Sequence, residues 1–248
     1  MQLKNRNISA IHISKLLPSF VTILALCLGI TSIRYAIDLK WNVAAALIVI
    51  AAILDAIDGR LARLLNASSN FGAQLDSIAD IVSFGVAPAI VMYFWSLHSI
   101  PYKGIGWAVV LLFIACSALR LARFNSCLDD ESEKKKLQNF FTGVPMPAGA
   151  VLAILPMIST IDLMPNIYSH WFIAFYIGFV AALMISNLPT FSFKKVYIER
   201  KWLGPTFAMI ATLIGGLILE PWFILPFLGI LYLISIPISL YVYFKQPN

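Results

Sequence analysis

Long apolar runs separated by short polar breaks organise this chain. Apolar stretches lie near 16–37, 41–65, 73–97, 104–124, 145–164, 170–190, 203–219 and 222–243. Each matches the roughly 20 residues that a helix needs to cross a bilayer. The pattern predicts an all-α fold: a polytopic transmembrane helical bundle of about eight spans, making one integral-membrane domain over 1–248. Most breaks are short and punctuated by proline, at Pro101, Pro165 and Pro221 on one side and Pro189 and Pro205 on the other. Two are longer. The stretch 127–141 is polar and carries Asp129, Asp130, Glu131, Glu133 and a lysine run, and 193–201 is basic.

Composition sharpens the membrane reading. The 248 residues are 60% hydrophobic and only 12% charged, against about a quarter charged in a soluble domain. With the N-terminus in the cytoplasm, Arg34, Lys40 and Lys103 fall on the outer side and the rest of the 18 Lys and Arg on the inner side. That is a strong positive-inside bias. An even number of spans then leaves both termini cytoplasmic, in a bacterial inner or cell membrane. The apolar run after Lys4, Arg6 and Lys15 is too long for a signal core, and no small-residue cleavage site follows, so the first helix is expected to be retained. The net charge of +6 reads as topology and as attraction to anionic membrane lipids. No nucleic acid partner is expected, because the basic residues sit at helix ends. Cys27, Cys116 and Cys127 have no disulfide or metal-ligand spacing and read as packing residues. His12, His98 and His170 lie at different segment ends and form no catalytic set with the acids.

Four aspartates interrupt the apolar pattern. Asp55 and Asp58 end the second run, in D-A-I-D-G-R-L-A-R, and Asp76 and Asp80 begin the third, in G-A-Q-L-D-S-I-A-D. Acidic side chains at membrane depth are costly and mark ion, proton or substrate sites. Asp55, Asp58 and Ala62 share a helix face by their i, i+3, i+7 spacing, and Asp76 and Asp80 share one by i, i+4. The residues 66–71 form a tight polar connection with Gly72 opening the third span, so the two helices are antiparallel neighbours and the carboxylates can converge. Such a group needs cations to stay ionised, and hard divalent ions shared with substrate phosphates fit it best. Gly59 and Ala62 leave room for a ligand's close approach, and Arg63 supplies a cation for phosphate. The plainer alternative is structural, with Asp58 pairing with Arg63 at a helix end and Asp76 acting as a cap. Four acids at these spacings are too many for that account.

The arrangement D-x2-D-G-x2-A-R-x8-G-x3-D-x3-D, filled by Asp55, Asp58, Gly59, Ala62, Arg63, Gly72, Asp76 and Asp80, resembles the signature of the CDP-alcohol phosphatidyltransferases. The resemblance implies a core of six transmembrane helices, a homodimer in many members, and two divalent ions, Mg²⁺ or Mn²⁺, near the cytoplasmic face. It implies that Asp55, Asp58 and Asp76 ligate the metals and that Asp80 is general base and further ligand. Thr22, Gly59, Ala62, Arg63 and Gly72 would border the CDP moiety. Leu17-Pro18-Ser19-x2-Thr22 is similar to the family's Pro-Asn-x2-Thr entry to the first helix, with Ser19 in place of asparagine. Residues 83–89 (SFGVAPA), 118–125 (ALRLARFN) and 141–148 (FTGVPMPA) resemble the branch of the family that accepts L-serine. The family core then covers 15–192, and 200–245 adds C-terminal helices.

The chemistry so implied is transfer of a phosphatidyl group from CDP-diacylglycerol to the hydroxyl of L-serine, with release of CMP. Arg120, Arg123 and Asn125 would reach the chamber to hold a lipid phosphate or the acceptor's carboxylate, although positive-inside topology alone also accounts for the two arginines. Glycerol 3-phosphate or an inositol compound would be alternative acceptors. An ion- or proton-coupled transporter is the reading from another class; it predicts related halves and broken helices, and no paired halves occur in the sequence.

Overall fold

The computed structural model describes residues 16–65, 67, 69–129, 141–162, 168–186, 188–190 and 200–245. These are almost wholly helical. In chain order the helices are α1 (Leu17–Ile37), α2 (Trp41–Leu64), α3 (Asn70–Asp80), a π-helical segment (Ile81–Val86), α4 (Ala87–Trp95), α5 (Lys103–Asp129), α6 (Met146–Asp162), α7 (His170–Ile185), α8 (Leu203–Leu219) and α9 (Pro221–Lys245). Among the described residues, five stretches are long and apolar enough to cross a membrane: Leu17–Ile37, Trp41–Leu64, Asn70–Trp95, Gly104–Ser126 and Pro221–Leu240. The third of these is α3, the π segment and α4 run together. Three shorter apolar helices occupy 146–161, 170–185 and 203–219.

Small residues set how closely the first helices approach. The buried positions of α1 are Pro18, Thr22, Ala25, Gly29, Ser32 and Ala36, a single stripe at alternating steps of four and three. On α2 the buried positions include Ala44, Ala45, Ile48 and Ala51. Apolar lipid gives little incentive to hide apolar side chains, so van der Waals fit between such small-residue faces drives association. The approach is tightest where α1 crosses the π segment. A Cβ added to Gly29 would sit 2.7 Å from Ser83 Cα, and the Ser83 hydroxyl donates to Ala25 O at 3.3 Å.

The turn from α1 to α2 closes with two backbone bonds, Leu39 N–H to Ala36 O and Lys40 N–H to Tyr35 O, the pairing of a Schellman cap. Leu39 holds the left-handed conformation this requires, at φ 59°. Around the α1–α2 pair, α4 and the π segment pack on α1, α6 packs on α2, α7 packs on α5, and α9 packs on α6. Phe84, Ile48, Met92, Phe113, Met157 and Ile173 are fully buried between them. The outlier is α8, which packs on α9 and has no buried residue.

Two boundaries differ from the sequence expectation. The third span begins at Asn70, ahead of Gly72, because the Ser69 hydroxyl accepts from Gly72 N–H at 3.0 Å and caps the helix. The fourth continues to Asp129, so Cys127 belongs to α5 and not to a loop. Most of the basic stretch 193–201 and most of the polar stretch 127–141 lie outside the described residues, at 191–199 and 130–140. One strand-like contact was not anticipated: Phe141 pairs antiparallel with Thr190 and Thr142 with Pro189. It joins the entry of α6 to the exit of α7. Gly143 turns the chain there at φ 73°, and any Cβ on it would lie 2.7 Å from Ser186 O.

Candidate active site

The end of α2 and the start of α3 bring three acids together. Asp55, Asp76 and Asp80 each present a carboxylate oxygen, and these atoms lie within 4.8 Å of one another. Carboxylates this close cannot all stay ionised unless a proton or cation lies between them. All the donors are hard oxygens on two rigid helices. This is the donor chemistry of Mg²⁺ or Mn²⁺ and not of a soft, thiolate-seeking metal, so the residues present fit the expected divalent ion.

Asp58 stands apart from this trio. It is 4% exposed, and its Oδ2 accepts a hydrogen bond from Thr22 Oγ1 at 2.7 Å. That bond ties α1 to α2 and holds one face of the carboxylate. The pairing of Asp58 with Arg63 considered from sequence does not occur. Arg63 instead donates from Nε to Gly59 O at 2.9 Å, within its own helix.

A cleft opens beside the acids, lined by Pro18, Ser19 and Thr22 of α1, by Asp58, Gly59 and Ala62 of α2, by Ala67 and Ser69 of the connection, and by Gly72, Ala73 and Asp76 of α3. Asp76 belongs to both the acidic trio and the cleft wall, so a ligand in the cleft abuts the carboxylates. A Cβ on Gly59 would meet nothing within 4 Å. The glycine is therefore not required by helix packing, and its bare backbone faces open space where a ligand can approach. Thr22, Gly59, Ala62 and Gly72, grouped by the family resemblance, thus line one cleft. Arg63 is exposed and is not among the lining residues. Ser69 and Ala73 line it without having been anticipated; serine three residues before Gly72 was the available sign, since that spacing suits an N-cap.

The three candidates on α5 separate. Arg120 lies deep, within electrostatic reach of Asp80. Arg123 donates from Nη1 to Ile185 O at 3.0 Å and from Nη2 to Ser186 O at 3.2 Å. It closes the C-terminus of α7, where carbonyls lack intrahelical partners and a cation is favoured. That task differs from the acceptor contact expected of it. Asn125 donates to Ser77 Oγ at 3.1 Å and so fastens α5 to α3 beside Asp76. Among the described residues, the buried side-chain atoms without a hydrogen-bond partner are Asp80 Oδ1, Arg120 Nε and Tyr232 Oη. Tyr232, on α9, was not anticipated. Its only sign was a hydroxyl in mid-span, which aromatic anchoring at a membrane surface also produces.

Comparison with known proteins agrees with the site. The CDP-alcohol phosphatidyltransferase family matches residues 15–181, which hold all four aspartates and the cleft, and CDP-alcohol phosphatidyltransferase 2 matches residues 201–237. The chain is 39% identical over 228 residues to the CDP-diacylglycerol–serine O-phosphatidyltransferase of Mycobacterium leprae, covering 92% of this chain and 75% of that protein. It is 36% identical over 213 residues to the protein of the same name from Helicobacter pylori strain J99, covering 83% of each. It is 34% identical over 174 residues to the archaetidylserine synthase of Methanothermobacter thermautotrophicus, covering 69% of this chain and 68% of that protein. With its apolar helices, acidic trio and adjoining cleft, this chain belongs to the CDP-alcohol phosphatidyltransferase family, and it is an integral membrane enzyme.

Proposed function

We propose that the protein transfers the phosphatidyl group of CDP-diacylglycerol to L-serine, giving phosphatidylserine and CMP. The observation that carries this reading is Asp76, which joins the acidic trio to the cleft and so puts a diphosphate bound there against the carboxylates. The names of the relatives support serine as acceptor. The nucleotide lies along Thr22, Gly59, Ala62 and Gly72, with Arg63 near the helix end. The lipid tails run beside the bundle.

Asp55, Asp76 and Asp80 would hold a divalent ion, Mg²⁺ or Mn²⁺, and Asp58 on the cleft side would serve a second. Bound there, such ions neutralise the diphosphate and the departing CMP. The chain's own groups do the rest. Asp80 takes the proton of the serine hydroxyl, whose oxygen bonds to the phosphorus bearing diacylglycerol as that phosphorus loses its bond to the oxygen that leaves with CMP. Arg120 faces the acceptor's carboxylate. The transfer is a direct displacement, since among the described residues no paired nucleophile and base stands beside the trio.

All eight apolar helices cross the membrane in this reading, within one domain of core 15–192 and an added pair at 200–245. The packing of α9 on α6 supports the single domain. The three short helices, at 16 or 17 residues, rise about 24–26 Å and would be met by local thinning. The lysine and arginine distribution puts both termini and the aspartates at the cytoplasmic face of a bacterial inner or cell membrane, next to anionic lipids. The protein is a homodimer.

The test is CMP release by purified protein from CDP-diacylglycerol with Mn²⁺ or Mg²⁺, with L-serine, glycerol 3-phosphate or inositol phosphate supplied in separate reactions. Serine-dependent release is expected. Release with another acceptor alone would overturn the choice of serine and leave the aspartate chemistry standing.

A further inference from the structure

The three orphaned polar atoms, Asp80 Oδ1, Arg120 Nε and Tyr232 Oη, come from three helices, α3, α5 and α9. Arg120 links them: its charge interacts with both Asp80 and Tyr232. Buried polar atoms are nearly always hydrogen bonded, and each exception calls for an explanation. Three exceptions linked through Arg120, one of them in the acidic trio, imply a polar recess that a ligand would satisfy.

The recess has a definite charge. It offers one guanidinium, one neutral phenol and one carboxylate. Arg123, the next arginine on α5, is engaged with the carbonyls of Ile185 and Ser186. A single cation and a neutral hydroxyl donor suit a monoanionic carboxylate. A dianionic phosphate would want a second cation. We propose that Tyr232 is a specificity-determining residue of the acceptor site: its hydroxyl donates to the carboxylate that Arg120 also holds, so that the C-terminal helix pair selects an α-amino acid. The inference rests on serine being the acceptor. It assigns a task to α9, which the aspartate signature and its cleft do not touch. Seated this way, the carboxylate lies toward α9 and the acceptor's hydroxyl is left on the side of Asp80.

Tyr232→Phe tests it, because phenylalanine keeps the ring's packing and removes only the hydroxyl. Steady-state CMP release is measured for the full-length protein in detergent, varying L-serine and CDP-diacylglycerol separately. Loss of a hydrogen bond to a charged group is expected to raise the serine KM about tenfold or more, with the CDP-diacylglycerol KM and the metal titration unchanged. The preference for L-serine over L-serinamide, which lacks the carboxylate charge, should shrink by a similar factor. Should the variant turn over too slowly for a KM, the rise in Tm that L-serine gives in the presence of CMP and Mg²⁺ should be lost. A serine KM within twofold of wild type would overturn the proposal. So would a fall in Tm with both KM values moving together, since a merely structural tyrosine behaves that way. Wild-type protein that releases CMP only with a non-amino-acid acceptor would instead refute the serine reading, and this proposal with it.

Discussion

Gly29→Ala probes how tightly the site depends on the crossing of α1 and the π segment. The added methyl would lie 2.7 Å from Ser83 Cα and Oγ and 2.8 Å from Ser83 Cβ, where ordinary contact begins at 3.4 Å. One of these atoms is backbone, so a rotamer change does not relieve the clash, and the helices must part by about 0.7 Å. Overpacking of this kind costs about 1–3 kcal/mol, which for a chain of this size lowers Tm by roughly 2–12 °C. The displacement also reaches the site. Thr22 lies two turns from Gly29 on the same buried stripe, and its 2.7 Å bond to Asp58 would be stretched if α1 pivots away. The expected result is a lower Tm in detergent together with a raised KM for CDP-diacylglycerol. Gly178→Ala is the control, because its methyl would meet nothing within 4 Å. A Gly29→Ala protein as stable as that control, with an unchanged KM, would refute the argument that this crossing positions Thr22.

Asp80→Asn should keep CDP-diacylglycerol binding and lower turnover about 10²–10⁴-fold; near-normal rates would remove Asp80 as base. Chelation with EDTA should abolish CMP release, and Mg²⁺ or Mn²⁺ should restore it; activity that persists after chelation would refute the metal role of the acidic trio. Arg123→Lys should lower Tm by loosening the exit of α7 while the serine KM stays within about threefold, since lysine cannot span two carbonyls as a guanidinium does; a large KM change at constant Tm would return Arg123 to the acceptor site. Leu39→Gly should raise stability by about 1 kcal/mol, because glycine takes the left-handed conformation freely; unfolding in denaturant or heat would register it.

The helices and the principal acids were legible because their signals are local. Apolar run length marked the spans, and i, i+3, i+4 spacing put Asp55 beside Asp58 and Asp76 beside Asp80. The short connection was enough to predict that the two carboxylate pairs could converge, and Asp55, Asp76 and Asp80 do meet. Spacing did not reveal that Asp58 turns to Thr22, 36 residues earlier, because that depends on how close two small-residue helix faces come. The same limit explains Arg120 and Arg123. They are alike in sequence and three residues apart, yet one faces the acids and the other caps α7, and only the packing of α5 against α7 separates them. Tyr232 was illegible for a related reason: it is tied to the acids through Arg120, more than a hundred residues away.

The π segment at Ile81–Val86 has a consequence for how this protein can change over time. Its wider turns take up extra chain between the acids and α4. Removing a single residue there would restore ordinary winding while leaving α4 in phase with Asp76 and Asp80. Ala87, Ala89, Val91 and Met92 would stay buried. A one-residue deletion inside α4 itself has no such reserve: it turns the rest of the helix by about 100° and carries its buried face out of the bundle. Substitutions that repack α4 leave the carboxylates where they are, so the packing half and the chemical half of this span can diversify independently.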